Sequence, residues 1–208
     1  MELRAHDLLI FKGPGDLFTE IPFPQWVLET VETNPAGVMR RAEHGKDLIP
    51  IGIRGKERGE RSACWVNADR VLEVIRPFRL TDPANWKRKY IADLPLTVQS
   101  LQIITPFLNE TGYEWGPAGS TGFELATGYT SIKSSSDLDL VIYIDEFFPV
   151  EEAKCLLARL EQQTLVPIDI QLQTPIGGVA LKEYIRSDEV LLKSSSGPLL
   201  LKGSSLWE

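Results

Sequence analysis

Two carboxylates, Asp137 and Asp139, interrupt an otherwise apolar and aromatic run, Asp-Leu-Asp-Leu-Val-Ile-Tyr-Ile, over residues 137 to 144. Such a run reads as a strand, because β-branched and aromatic side chains suit a pleated, half-buried surface. Alternation then sends both acids to one face, ~7 Å apart along the chain, while Leu138, Leu140, Ile142 and Ile144 bury the other. Carboxylates so placed can straddle one or two divalent cations, since paired catalytic metals lie about 3.5–4 Å apart and a carboxylate can bridge them. Oxygen donors select hard ions, magnesium first and manganese second, over zinc or copper. An isolated Asp-x-Asp is more often the solvated side of an amphipathic strand, so neighbouring features have to decide between the two.

Two features do. Asp169 sits in Pro-Ile-Asp-Ile-Gln, residues 167 to 171, a second strand on which a charge is otherwise unwelcome. If this strand pairs beside the first, Asp169 joins Asp137 and Asp139, and three neighbouring carboxylates repel one another unless a cation neutralises them. Upstream, Gly116-Pro-Ala-Gly119-Ser120 is a flexible turn leading into a helix whose first amide groups are free to bind phosphate oxygens. Against this stands an ordinary role for Asp169 as an exposed edge residue, where most acids lie.

Positive charge concentrates elsewhere. Between Arg40 and Arg61 there are seven Lys or Arg residues (Arg40, Arg41, Lys46, Arg54, Lys56, Arg58, Arg61) against four acids, in a chain of net charge -7. The arginines Arg40, Arg41, Arg54, Arg58 and Arg61 can bind donor phosphates through the bidentate guanidinium fork, or dock an acidic protein, or form a solvated surface laced with ion pairs. His6, beside Asp7, reads as a hydrogen-bonded structural residue, and His44 as a turn residue. Tryptophans are usually core aromatics, but Trp115 precedes the phosphate turn and is placed to stack on an adenine. Cys64 and Cys155 lack any His or Cys partner at metal-ligand spacing and are expected in the core.

Placing these groups requires a chain of short elements. Residues 1–85 are broken by Gly and Pro and form a β-rich module, with strands at Asp47–Gly55 and Ala63–Asn67 and one helix around Trp26–Glu32. Residues 86–208 carry longer apolar periods: Leu94, Val98, Leu101, Ile104 and Leu108 mark a helix that Pro106 should end or bend. A short helix, Ser120–Thr127, stops at Gly128, and a longer one, Pro149–Gln163, follows the aspartate strand. A strand Val166–Gln173 and a helix from about Gly178 to Arg186 complete an α+β (α/β-like) architecture, a mixed sheet flanked by helices. With 43% hydrophobic and 25% charged residues the 208-residue chain can bury a core. Its acidity argues against coating nucleic acid, no apolar run reaches membrane-spanning length, and the first residues lack a signal-peptide core, so a cytoplasmic protein is expected.

The order Gly119-Ser120, spacer, Asp137-Leu-Asp139, then Asp169 on a later strand resembles the DNA polymerase β-like nucleotidyltransferase superfamily. The wording around it, Thr127-Gly128 and Ser136-Asp-Leu-Asp-Leu140, is similar to the phosphoribosyl-dephospho-CoA transferases of malonate decarboxylase systems, their holo-acyl-carrier-protein synthases. Arg4-Ala-His-Asp-Leu-Leu9, Trp26-Val27, Val38-Met-Arg-Arg41, Pro50-Ile-Gly-Ile-Arg-Gly55 with Arg58 and Arg61, and Thr174-Pro175 carry the resemblance across most of the chain.

The resemblance implies transfer of the 2'-(5''-phosphoribosyl)-3'-dephospho-CoA group from its triphosphate precursor to a serine of an apo acyl carrier protein, with release of diphosphate. It implies magnesium held by Asp137 and Asp139, phosphates held by Gly119 and Ser120, and Asp169 as base or further ligand. Rival expectations are a nucleotidyltransferase that modifies a small molecule or another protein, and a nucleotide-binding protein without catalysis.

Overall fold

The computed structural model describes residues 3–57, 59–84, 86, 90 and 93–208. The chain separates into two units, Met1–Arg76 and Pro77–Glu208. The division falls before the 3-10 turn Pro77–Thr81, which the expected boundary near residue 85 assigned to the first half; the turn packs against the strand Glu114–Pro117 of the second unit.

The first unit is an antiparallel six-stranded sheet in the order β2-β5-β4-β3-β1-β6, built from β1 (Leu8–Ile10), β2 (Leu17–Phe18), β3 (Ala36–Met39), β4 (Leu48–Arg54), β5 (Arg61–Asn67) and β6 (Glu73–Ile75). Helix α1 (Gln25–Thr33) places Val27 and Val31 against Leu9, Met39, Ile49, Ile51, Ile53, Cys64 and Val66. The alternation of Ile49, Ile51 and Ile53 with Pro50, Gly52 and Arg54 is what sends one face of β4 into this core and leaves the other outside it.

The second unit is the mixed sheet expected from the pattern, in the order β12-β11-β10-β9-β8-β7. Its strands are β7 (Glu114–Pro117), β8 (Leu138–Tyr143), β9 (Ile168–Thr174), β10 (Gly177–Ala180), β11 (Glu189–Ser194) and β12 (Gly197–Lys202). Among the described residues only β8 and β9 pair in parallel, joined through α4 (Val150–Gln163). Helices α2 (Leu96–Glu110), α4 and α5 (Leu181–Arg186) contribute Val98, Leu101, Leu160 and Leu181 to a core with Leu138, Leu140, Ile168 and Ile170. A further helix, α3 (Gly119–Thr127), ends at Gly128, whose φ of 78° is the left-handed stop that glycine adopts without strain.

Several expectations are corrected. Pro106 does not end helix α2, which continues to Glu110; Pro106 and Gln102, whose carbonyl would accept from an amide at position 106, are both exposed, so that acceptor is open to solvent. The helix expected from Gly178 begins only at Leu181, because Gly177–Ala180 folds back as β10 onto β9, with Gly178 opposite Gln173. Strands β11 and β12 went unread; Ser195 and Ser196 form their turn. Cys155 is exposed on α4, since its position lies about 200° around the helix from the buried Ala153.

Cys64 behaves oppositely. Burial pushes its thiol up to about 11, with the Arg40 charge pulling weakly the other way, so the group stays protonated and inaccessible at neutral pH. A thiol-disulfide reagent should therefore titrate one cysteine in the native protein and two in denaturant. Two fast thiols under native conditions would contradict this core assignment.

Candidate active site

Parallel pairing of β8 with β9 sets the register Leu138↔Ile168, Asp139↔Asp169 and Leu140↔Ile170. Two acids thus stand side by side on neighbouring strands, ~4.8 Å apart in the hydrogen-bonding direction, while their apolar neighbours fill the opposite face. Further along the same face Val141 and Tyr143 are buried, so the acids occupy its open, N-terminal end. Asp139 is half-buried and Asp169 exposed.

Strand β7 delivers the glycine turn to this end of β8. It pairs antiparallel with β8, Pro117 opposite Leu140, and the Ala118 amide donates to the Asp139 carbonyl at 2.9 Å. The chain then enters α3 at Gly119, with φ 55°. A Cβ at Gly119 would overlap Asp139 Oδ2 and lie 2.5 Å from its Cγ, so only glycine lets this backbone lie against the carboxylate. Ala118 caps α3 without a side-chain hydrogen bond, which leaves the first-turn amides available to an anion beside Asp139.

The remaining acid is placed differently. Asp137 precedes β8, is exposed, and lies outside the ladder that aligns Asp139 with Asp169. Among the described residues no group of three His, Cys, Asp or Glu side chains is disposed to hold a metal ion. Strand pairing sets Asp139 opposite Asp169 and does not extend to Asp137. As a test of fit, two hard carboxylates on one face, next to free helix amides, suit a magnesium-sized cation shared with a phosphate.

Ser120 is buried and its hydroxyl reaches that of Ser136 at 3.4 Å; Ser131 in turn donates to the Ser120 carbonyl at 2.8 Å. Both serines belong to the segment leading into Asp137, which Glu124 anchors. This buried carboxylate accepts from the amides of Ser131 and Ile132, both at 2.7 Å, and from the Tyr90 hydroxyl at 2.8 Å. Burial first, then that hydrogen bond and the carboxylate charge, hold the Tyr90 phenol well above its ordinary range, so it remains a donor. Glu124 escaped the sequence reading, although an acid on a helix face otherwise occupied by Ser120, Thr121 and Phe123 was a visible signal. Glu124→Ala should lower stability by about 3 kcal/mol, since two amides lose a charged acceptor, as measured by urea unfolding; an unchanged midpoint would contradict this anchoring role.

Lys182 was likewise missed. Its ammonium donates to the Ile168 carbonyl at 3.0 Å, one peptide from Asp169, and pairs with Glu161 at 2.8 Å, on the wall of a groove of about 370 Å³ beside the start of β9.

The basic run does not act as one group. Arg54 and Arg61 are register partners on β4 and β5, and Arg40 lies over Gly52 on the same face. Arg41 instead approaches His6 Nε2 at 3.4 Å. Arg58 lies outside the described residues. His6 is the hydrogen-bonded residue expected, and His44 is exposed with Nδ1 2.8 Å from the Gly45 carbonyl oxygen. Trp115 is buried, its indole N–H donating to Asn109 Oδ1 at 3.0 Å, and so cannot stack on a ligand. Among the described residues no helix is long and apolar enough to cross a membrane.

Two family models match the chain: the Phosphoribosyl-dephospho-CoA transferase MdcG N-terminal domain over residues 4–77 and its C-terminal domain over residues 87–204. A phosphoribosyl-dephospho-CoA transferase of Pseudomonas aeruginosa is 38% identical over 202 residues, 96% of this chain and 92% of that protein. Proteins of the same name from Pseudomonas fluorescens and Klebsiella pneumoniae are 35% and 32% identical, covering 92% and 95% of the chain and 89% and 93% of their own lengths. No solved structure matches.

Proposed function

Because the chain belongs to the phosphoribosyl-dephospho-CoA transferase family and is a transferase, we propose that its acceptor is a serine of the apo acyl carrier protein of malonate decarboxylase and its donor the triphosphate of phosphoribosyl-dephospho-CoA. The observation that carries the chemistry is the Asp139↔Asp169 register beside the Gly119 turn. The serine Oγ attacks the phosphorus that bears the ribosyl group, a new ester bond forms, and the bond to the outer two phosphates breaks, releasing diphosphate with the bonding electrons. Bound magnesium would supply neutralisation of the charge that builds on the leaving diphosphate.

The first-turn amides of α3 hold the donor's phosphate oxygens, and Ser120, fixed through Ser131 and Ser136, sets the direction of that turn. Asp139 would hold the cation, with Asp137 as a second ligand from the edge of the site. Asp169, exposed and adjacent, takes the proton of the serine hydroxyl or adds a cation ligand. The reaction uses soluble partners, in keeping with a cytoplasmic enzyme.

The test is to incubate the protein with magnesium, the triphosphate donor and the apo carrier, following carrier mass. A gain equal to the phosphoribosyl-dephospho-CoA group supports the proposal. Labelling that requires ATP or another nucleotide as the donated group, or no labelling of that carrier, would refute it.

A further inference from the structure

The face of the first sheet turned away from α1 carries an unusual set of residues. Core positions Ile49, Ile51, Ile53, Cys64 and Val66 lie on the α1 side, so alternation places Pro50, Gly52, Arg54, Arg61, Ala63 and Trp65 on the other. The register sets Arg54 opposite Arg61, Gly52 opposite Ala63 and Pro50 opposite Trp65. Phe18, opposite Trp65 on β2, meets it edge-on with ring centroids 6.5 Å apart and remains 50% exposed. The Arg40 side chain enters from β3: a Cβ on Gly52 would lie 3.5 Å from its Cδ. Among the described residues neither Arg40 nor Arg61 has a carboxylate within salt-bridge distance.

We infer that this face docks an acidic protein surface, and that the protein is the carrier that accepts the transferred group. The inference rests on the preceding reading that the acceptor is a carrier protein. Arg40 and Arg61, with Arg54 on the same side of the sheet, concentrate positive charge there in a chain whose net charge is -7. Such a patch steers a negatively charged partner toward this face. Arginine and aromatic residues are those that carry binding energy at protein interfaces. A nucleotide would instead ask for a concave site that encloses it; at the centre of this face Gly52 lies under the Arg40 stem and Ala63, opposite it, is exposed, so the ladder itself raises little wall around a ligand.

The experiment measures steady-state transfer by the full chain carrying Arg40→Glu and Arg61→Glu, varying apo carrier at saturating donor and then donor at saturating carrier. The carrier KM should rise ~10–100-fold at low salt, with a weaker salt dependence than the parent shows, because docking charge is lost. The donor KM should stay within twofold. Arg61→Ala alone, at an exposed strand position, should give a smaller carrier effect, and it decides the matter if the double variant does not fold. An unchanged carrier KM overturns the inference, and so does a rise confined to the donor KM, which would make the face a nucleotide site. If the parent chain transfers nothing to the carrier, the proposed function fails and the docking assignment falls with it; transfer insensitive to the variants removes only the docking assignment.

Discussion

Asp139→Asn is expected to lower kcat/KM for carrier modification about 10³-fold, or ~4 kcal/mol of barrier at about 1.4 kcal/mol per tenfold. The substitution keeps the side chain's size and its place against Gly119 while removing the charge that the mechanism requires there. Its effect on stability should be small and of the opposite sign, because a neutral group opposite Asp169 relieves cross-strand repulsion of like charges. Carrier mass measured against time gives the first quantity and the urea midpoint the second. Transfer at the parent rate by Asp139→Asn would end the proposal that this strand pair is the reacting centre. Asp137→Asn provides the companion measurement: a comparable loss would place that exposed acid in the working site, and near-full activity would leave the chemistry to the Asp139–Asp169 pair.

Gly119→Ala should cost ~10²-fold in transfer through displacement alone. The new methyl group meets the Asp139 carboxylate, so either the acid or the first turn of α3 must move, and a shift of about 1 Å in a reacting group can remove two orders of magnitude. The φ of 55° adds a further ~1–2 kcal/mol of strain for any residue with a Cβ. Gly128→Ala separates the two effects. Gly128 also has positive φ, 78°, but a Cβ there meets nothing within 4 Å, so the control should lose comparable stability and keep transfer. Equal activities for the two variants would show that the Gly119 contact with Asp139 is unimportant.

Much of this arrangement was written locally. The run from Asp137 to Ile144 and the alternation in residues 167 to 171 made two strands legible; β8 lies within the first, and β9 starts in the second and runs on to Thr174. Gly128 marked the end of α3, and the isoleucines of β4 announced which of its faces is buried. These features depend on the preferences of neighbouring residues, which a window of a few positions contains.

What stayed illegible depended on partners distant in sequence. Nothing local to Asp139 specifies Asp169 rather than Ile168 or Ile170 as its neighbour; register comes from burying Leu138, Leu140, Ile168 and Ile170 together on the helix-covered face. The inward position of Trp115 and the outward one of Cys155 follow from the same competition for core volume. Glu124 looked like an ordinary helix acid until the loop it anchors folded over it. The arginines were visible as a charge run, but only the β3–β4–β5 ladder separates Arg40, Arg54 and Arg61 from Arg41. Sequence alone determined which chemistries the chain can carry, through residue type and period. Tertiary structure decided which of those residues meet, because strand pairing and core burial act between segments that no local pattern connects.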